Sequence, residues 1–182
     1  MRLVLASGSP QRREILERLG VSFEVRVPEV AELETGEPGA VALENARRKS
    51  CAVRAGQDEL VLGCDTLVAL AGEIYGKPAD EADARRTLGS LSGQTHEVLS
   101  GISLWVGGEE RVALARTEVS FRALSRELID WYVARGEWCE RSGGYAIQGA
   151  GSALVAGVSG DVQNVVGLPV ATLLDVFPQL LR

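Results

Sequence analysis

The feature that most constrains this chain is a short apolar strand that passes directly into a helix. Residues 3–5 form the apolar run, and Ser9 followed by Pro10 is typical of a helix N-cap and first turn. Arg12 and Arg13 then lie in that first turn, where the helix dipole disfavours a cation by about 0.3–1 kcal/mol. Free backbone N–H groups, hydroxyls and guanidinium groups together describe a phosphate site. Two solvated arginines on an ordinary helix are the alternative, and this segment alone favours neither interpretation.

Composition excludes several classes of protein. A net charge of −6 over 182 residues provides no broad cationic surface, which argues against a nucleic-acid polymer or an anionic membrane as partner. The three cysteines lie far apart without C-x-x-C spacing, so neither structural zinc nor a disulfide framework is expected. No signal peptide pattern opens the sequence, and no apolar run approaches about 18 residues. We expect a cytoplasmic protein in which residues 1–182 form a single domain.

Helical and strand patterns alternate along the chain, which predicts an α/β fold. Helices are predicted at residues 10–19, 40–55, 80–91, 125–136 and 168–181. Further strands are predicted at 22–27, 59–64, 67–70, 73–75, 96–106, 111–121 and 153–158, with loops at 29–38 and 142–151. Ala71-Gly72 and Gly107-Gly108 each separate two strand patterns as a hairpin turn does. Because hairpins occupy the middle of the chain, the sheet is predicted to be mixed.

A lone carboxylate at the end of an apolar strand is the second candidate functional feature. Asp65 follows the run 59–64, where an ionisable group is costly to desolvate unless it has partners or a function. Lys49, on the second predicted helix, and Lys77, held in a loop by glycine and proline neighbours, lie on either side of it in sequence. Lys77 is interpreted as a phosphate ligand, whereas Lys49 by itself gives no such indication. The structural alternative for Asp65 is a cap on the following turn.

Two further segments offer ligand-binding groups. The acidic loop 29–34 holds three carboxylates, including Glu32, and one of them paired with Asp65 would suit Mg²⁺, which prefers oxygen ligands and bridges to substrate phosphates. Segment 143–151 contains four glycines, which let backbone approach a ligand closely, and Gln148 offers a donor and an acceptor to a base edge. A set of tight turns with Tyr145 packed in the core explains this segment equally well.

Several common catalytic schemes are excluded. His96 is the single histidine, which rules out multi-histidine metal sites, and we interpret it as a structural, hydrogen-bonded residue at the start of a strand. The phosphate-binding loop G-x-x-x-x-G-K-[ST] does not occur. Gly149-Ala150-Gly151 lacks the third glycine and the following helix of a dinucleotide-binding fingerprint.

Taken together, these motifs resemble the Maf family of nucleoside triphosphate pyrophosphatases, almost from end to end. The matching motifs are A-S-G-S-P-x-R at 6–12, the helix that ends in Lys49, G-C-D-T-L-V at 63–68, G-K-P at 76–78, L-S-G-Q-T-H at 91–96, G-G-Y-A-I-Q-G at 143–149 and G-D-V-Q-N-V-V-G-L-P at 160–169. Each is short, but their common order argues against chance. The resemblance implies a long mixed β-sheet flanked by helices, in two lobes around a central cleft, similar to inosine triphosphate pyrophosphatases.

The resemblance also implies an activity, a cofactor and a set of roles. Such proteins split nucleotides between the α- and β-phosphates, need a divalent cation and are commonly dimeric, so we expect a cytoplasmic homodimer that uses Mg²⁺, with Mn²⁺ as the alternative. Asp65 matches the proton acceptor, and Glu32 with Asp65 is the expected metal-binding pair. The family's phosphate- and metal-binding residues are matched here by Ser7, Arg12, Glu32, Lys49 and Lys77. The residue pattern itself adds Ser9 and Arg13 as phosphate-binding candidates.

Three positions separate the branch that cleaves dTTP and UTP from the branch that acts on 7-methyl-GTP. Thr66 and Gln148 match the dTTP/UTP branch, which makes dTTP, UTP and modified pyrimidine nucleotides the expected substrates. Gln11 stands where that branch usually has arginine; it lacks the charge and forked donors of arginine, which weakens the expectation of strict pyrimidine selectivity. Two alternatives remain open: a nucleotide-binding regulator of septum formation and cell division without turnover, and a pyrophosphatase that clears modified purine nucleotides.

Overall fold

A seven-stranded mixed β-sheet forms the centre of the structure, a computed structural model that describes residues 2–54, 56 and 59–181. The strand order is β2-β1-β3-β5-β6-β7, and β4 pairs with the far end of β3. The strands are β1 (Arg2–Ala6), β2 (Phe23–Val25), β3 (Glu59–Leu70), β4 (Glu73–Tyr75), β5 (Thr95–Val106), β6 (Glu109–Phe121) and β7 (Val155–Ser159). β1 runs parallel to β2 and β3, and all other pairs are antiparallel. The predicted mixed α/β sheet is confirmed.

In the described part of the chain, six α-helices flank the sheet and enclose apolar cores. They are α1 (Pro10–Arg18), α2 (Pro38–Val53), α3 (Glu81–Leu91), α4 (Arg126–Val133), α5 (Val162–Val166) and α6 (Val170–Val176). One buried cluster joins α1 and α6 to β1 and β3 through residues such as Leu16, Leu62 and Leu173. A second joins α3 and α4 to β5 and β6 through residues such as Leu88 and Tyr132. Within the described residues, none of the helices is long and apolar enough to cross a membrane.

Helix α2 lies unusually close to the sheet because two strand glycines face it. A Cβ atom at Gly63 would lie 2.2 Å from the Ala46 carbonyl oxygen, and one at Gly101 would lie 2.3 Å from the Ala42 carbonyl oxygen. Gly101 is paired with Asp65 across β3 and β5, and Gly63 precedes Asp65 by two residues on β3. Side chains of α2 are therefore brought against the middle of β3, around Asp65.

The structure corrects several predicted boundaries. The strand predicted to end at Asp65 runs without interruption to Leu70, because β5 supplies a pairing partner for every residue from Val61 to Ala69. The hairpin at Ala71-Gly72 is confirmed, with both residues in the left-handed region, at φ 52° and 83°. The predicted helix 168–181 is divided, because α6 ends before Pro178, where a separate 3₁₀ turn begins.

Other boundaries differ by less. Helix α5 was not predicted, β2 has three residues where six were expected, and loop 142–151 contains 3₁₀ turns at Ser142–Gly144 and Ala150–Leu154. The predicted end of the second helix, Ala55, lies outside the described residues.

Candidate active site

A cavity of about 1370 Å³ lies where β1 ends and β3 continues. β1 ends at Ala6, opposite Gly63, so the chain leaves the sheet beside Asp65 and Thr66 and enters α1 there. The loop before α2 and the glycine-rich segment close the other sides. Ten of the eleven residues predicted for the site line this cavity: Ser7, Ser9, Gln11, Arg12, Glu32, Lys49, Asp65, Thr66, Lys77 and Gln148. Arg13 lines a separate shallow depression with Glu17 and Phe23, so the structure does not place it with the other phosphate-site residues.

Asp65 is a buried carboxylate with two side-chain donors from α2. It is 7% exposed, its Oδ1 accepts a hydrogen bond from Lys49 Nζ at 2.6 Å, and its Oδ2 accepts one from Asn45 Nδ2 at 3.1 Å. Asn45 and Lys49 are four residues apart and therefore share one face of the helix. A carboxylate held by a cation and an amide remains able to accept further bonds, because each oxygen has two lone pairs.

Lys49 joins Asp65 to the acidic loop. Its ammonium group lies 2.6 Å from Asp65 Oδ1 and 2.7 Å from Glu32 Oε1, and its side chain is only 9% exposed. The two carboxylates are thus close enough to share one cation, and together they suit Mg²⁺, which typically takes one or two carboxylates plus phosphate oxygens. Within the described part of the chain no group of three or more histidine, cysteine, aspartate or glutamate residues forms a metal cage. A divalent cation here would therefore draw its remaining ligands from substrate and water.

Arg12 is buried in a fixed orientation. Its Nε donates to the Gly167 carbonyl oxygen at 2.8 Å, its Nη1 to Ser7 Oγ at 2.9 Å and its Nη2 to Thr66 Oγ1 at 3.2 Å. The Thr66 hydroxyl is also hydrogen-bonded to Ser100 Oγ at 2.7 Å. Thr66, which the resemblance gives as a specificity position, thus contributes its hydroxyl to the network that holds the Arg12 guanidinium.

The start of α1 has no side-chain cap. Ser9 is the N-cap residue, as expected, but its side chain accepts no hydrogen bond from the helix backbone. The Ser9 hydroxyl instead donates to Gln11 Oε1 at 3.0 Å, and the Ser9 amide donates to Ser7 Oγ at 3.2 Å. The predicted helix start, with Ser9 as N-cap and Pro10 as the first helical residue, is confirmed.

Lys77 also lines the cavity but is far more exposed than Lys49. Its side chain is 55% exposed, and Nζ lies 2.8 Å from Glu140 Oε2. This hydrogen bond from Lys77 lowers the pKa of the Glu140 carboxyl. Glu140 adopts φ 57°, in the left-handed region that few residues other than glycine occupy. The structure brings Lys77 to the cavity but not into contact with Asp65.

The glycine-rich segment that carries Gln148 is held by two side chains, those of half-buried Glu137 and buried Tyr132. Glu137 Oε2 accepts from the Ala150 amide at 2.8 Å, and Tyr132 Oη accepts from the Ala146 amide at 2.9 Å. Both anchors fix the backbone on either side of Gln148, whose side chain lines the cavity. The structural interpretation of this segment, a set of tight turns with Tyr145 packed in the core, is confirmed.

His96 is structural, as predicted. It is fully buried, and its Nε2 is hydrogen-bonded to Tyr145 Oη at 2.9 Å. Burial lowers the pKa of His96 to about 4, since no neighbouring charge compensates for the loss of solvent around its charged form. The imidazole is therefore neutral near pH 7.

Sequence reasoning missed three groups that build the site. Asn45 and Glu137 were not singled out, and Gly167 belongs to a motif that had received no role. The one available signal was the four-residue spacing from Asn45 to Lys49, which places both on the same helix face. For Glu137 and Gly167 the partners are distant in sequence, and no local pattern indicates them.

Comparison with known proteins agrees with the family resemblance that the sequence motifs indicate. A family model described as Maf-like protein matches residues 2–180. A dTTP/UTP pyrophosphatase of Symbiobacterium thermophilum is 47% identical over 180 residues, covering 97% of this chain and 93% of the relative. Proteins of the same name from an Anaeromyxobacter species and from Deinococcus radiodurans are 50% and 43% identical, covering 96% and 95% of this chain and 87% and 90% of those relatives. The chain therefore belongs to the Maf family.

Proposed function

We propose that this protein is a nucleoside triphosphate pyrophosphatase that cleaves dTTP and UTP to the monophosphate and pyrophosphate. The observation that carries the proposal is the shared cavity, in which Asp65, Lys49, Glu32 and Arg12 lie together beside the β1–α1 turn. Binding alone would not require a buried carboxylate beside a cluster of cations. The names of the relatives supply the substrate class.

The cations provide donors for a triphosphate. Arg12 uses three of its five N–H groups within the described structure, which leaves two for phosphate oxygens. The Lys49 ammonium uses two of its three N–H groups on Glu32 and Asp65 and keeps the third. Lys77 reaches the triphosphate by exchanging Glu140 for a phosphate oxygen, and Ser7 and Ser9 contribute hydroxyls near the helix start.

Asp65 is the proposed proton acceptor. It orients a water molecule and takes its proton as the water oxygen attacks the α-phosphorus, and the bond from that phosphorus to the bridging oxygen breaks to release pyrophosphate. Arg12, Lys49 and Lys77 stabilise the charge on the departing pyrophosphate. Glu32 and Asp65 would hold a divalent cation, Mg²⁺ or Mn²⁺, which neutralises phosphate charge when bound.

Substrate choice is assigned to Gln11, Thr66 and Gln148. Gln148 lies in the segment anchored by Glu137, and its amide offers both a donor and an acceptor to the edge of a pyrimidine. Gln11 cannot supply the charge of the usual arginine. We further propose one domain over residues 1–182, two lobes around the cavity as in inosine triphosphate pyrophosphatases, a homodimer, and a cytoplasmic location.

The test is pyrophosphate release from a panel of nucleoside triphosphates with Mg²⁺, assayed separately from orthophosphate. We expect the highest kcat/KM with dTTP or UTP, and Asp65→Asn should lower kcat at least about 100-fold, because general-base catalysis typically contributes that much. Asp65→Asn activity near the wild-type rate would contradict the assignment. Absence of turnover with every nucleotide would indicate a binding regulator, and preference for a modified purine nucleotide would indicate the alternative pyrophosphatase.

A further inference from the structure

We infer that Asn45 is a positioning residue that sets the distance between the Asp65 carboxylate and the loop carrying Glu32, and so determines the affinity for the divalent cation. The inference rests on the proposed function. It assigns a role to a residue of α2 to which neither the residue pattern nor the resemblance gave one, and it follows from contacts that the side chain makes in two directions.

Asn45 uses every donor of its amide. Its Nδ2 donates to Asp65 Oδ2 at 3.1 Å and to the Leu33 carbonyl oxygen at 3.0 Å, and its Oδ1 accepts from the Leu33 amide at 2.7 Å. The residue is 2% exposed. One side chain thus pairs with the backbone of Leu33 as a neighbouring strand would, and holds the Asp65 carboxylate with its remaining N–H.

The Leu33 contact matters because Glu32 is the adjacent residue. Residues 26–34 form no helix or strand, and the Glu32 side chain is 46% exposed, yet its carboxylate lies 2.7 Å from Lys49 Nζ. A second tether to α2 joins Arg48 Nη1 to the Ala31 carbonyl oxygen at 3.1 Å, but this bond is exposed to solvent. The two Asn45 bonds to Leu33 are partly buried and come from a side chain that is itself 2% exposed, so competition with water weakens them less than the exposed Arg48 bond.

The position of Asn45 depends in turn on the close approach of α2 to the sheet. Ala42 and Ala46, which contact Gly101 and Gly63, lie on either side of it in the helix. Asp65 pairs directly with Gly101 on the adjacent strand. The helix, the sheet and the acidic loop therefore meet at one amide group.

Loss of this amide should loosen the metal-binding pair without removing either carboxylate. Asn45→Ala removes the hydrogen bond to Asp65 Oδ2 and both hydrogen bonds to the Leu33 backbone. The loop that carries Glu32 then loses this attachment to α2, so Glu32 must be ordered when the cation binds. Side chains that orient metal ligands typically change metal affinity by about 10- to 100-fold when they are removed. Asn45→Leu keeps a similar volume but loses both the donors and the acceptor without adding a charge, so a role in space filling alone would be preserved.

The experiment measures Mn²⁺ binding by electron paramagnetic resonance, with the protein saturated by an α,β-methylene analogue of dTTP that cannot be cleaved. We expect Asn45→Ala and Asn45→Leu each to weaken Mn²⁺ binding at least 10-fold, with a parallel rise in the Mg²⁺ concentration that gives half-maximal pyrophosphate release. The matched control is Ser50→Ala, which removes a buried hydrogen bond of the same helix, to Ser103 Oγ at 2.7 Å, away from the cavity. Ser50→Ala should leave Mn²⁺ affinity unchanged.

The outcomes separate the two proposals. Wild-type protein that releases no pyrophosphate from any nucleotide would overturn the proposed function. Active wild type together with an Asn45→Ala variant that keeps wild-type Mn²⁺ affinity, or a Ser50→Ala variant that loses as much affinity, would overturn the role of Asn45. If Asn45→Ala does not fold, Asn45→Ser, which keeps a shorter polar group that cannot reach both partners, is measured in its place under the same criteria.

Discussion

The burial of His96 makes a specific prediction about stability and pH. The imidazole is fully buried, its Nε2 is hydrogen-bonded to Tyr145 Oη, and its Nδ1 has no hydrogen-bond partner within the described residues. The rings of Phe121 and Tyr145 pack edge-on against it, with centroids at 4.8 and 5.5 Å. These aromatic neighbours offer no compensating negative charge, so burial lowers the pKa of His96 from 6.5 to about 4.

The direction in which stability changes with pH depends on whether the unfolded or the folded protein protonates His96 first as the pH falls. As the pH falls below 6.5 the unfolded chain protonates its histidine, while folded His96 stays neutral until the pH approaches about 4. The free energy of unfolding is therefore highest above pH 6.5 and decreases as the pH falls. With these two pKa values, the loss attributable to His96 between pH 7.5 and pH 5 is about 2 kcal/mol.

The assay is urea denaturation of wild type and His96→Gln at pH 7.5 and pH 5. Glutamine keeps a polar group near Tyr145 but cannot titrate, and the carboxylates of the protein contribute equally to both proteins. We expect wild type to lose about 2 kcal/mol more than His96→Gln over this interval. Equal losses in the two proteins would refute the buried neutral imidazole.

Three further predictions concern the cavity. Gly101→Ala should lower the free energy of unfolding by about 1–3 kcal/mol and reduce pyrophosphate release, because the added Cβ would lie 2.3 Å from the Ala42 carbonyl oxygen. The control is Gly89→Ala, where the added Cβ has open space around it. Equal urea midpoints for the two variants would contradict the prediction. Lys49→Met should lower the free energy of unfolding by about 3 kcal/mol, because it removes the cation that compensates the buried charge of Asp65, and Mn²⁺ should then raise the Tm of the variant more than that of wild type. Unchanged stability of the variant would show that Asp65 tolerates the loss of its cation. Gln11→Arg should raise the UTP-to-ATP ratio of kcat/KM; an unchanged ratio would exclude Gln11 from base recognition.

The parts of the site that could be predicted depend on local sequence. The β1–α1 turn was predictable because a strand pattern, an N-cap and Pro10 are adjacent in the chain, and Arg12 then follows in the first turn. Asp65 could be singled out because burying a carboxylate at the end of an apolar strand costs free energy wherever that strand lies in the fold. Its place in the middle of β3 was not, because continuation of the strand depends on pairing with β5, which lies more than thirty residues further along the chain.

The parts that could not be predicted depend on contacts between distant segments. The pairing of Arg12 with Gly167 spans 155 residues, and the anchoring of the glycine-rich segment by Glu137 depends on the turn after α4. Gly63 and Gly101 look like ordinary strand glycines in the sequence. Their importance appears only when α2 is seen to cross both strands at backbone contact distance.

The cations around the cavity differ in how firmly they are held, and this difference bears on the order of events at the site. Arg12 is fixed by three hydrogen bonds and Lys49 by two carboxylates, so both are oriented before any ligand arrives, which is the condition for effective electrostatic stabilisation. Lys77 is half-exposed and paired with the exposed Glu140, and such surface pairs contribute no more than about 1 kcal/mol. We therefore expect a triphosphate to displace Glu140 at little cost, and Lys77 to complete the charge around the substrate after the buried groups have bound it.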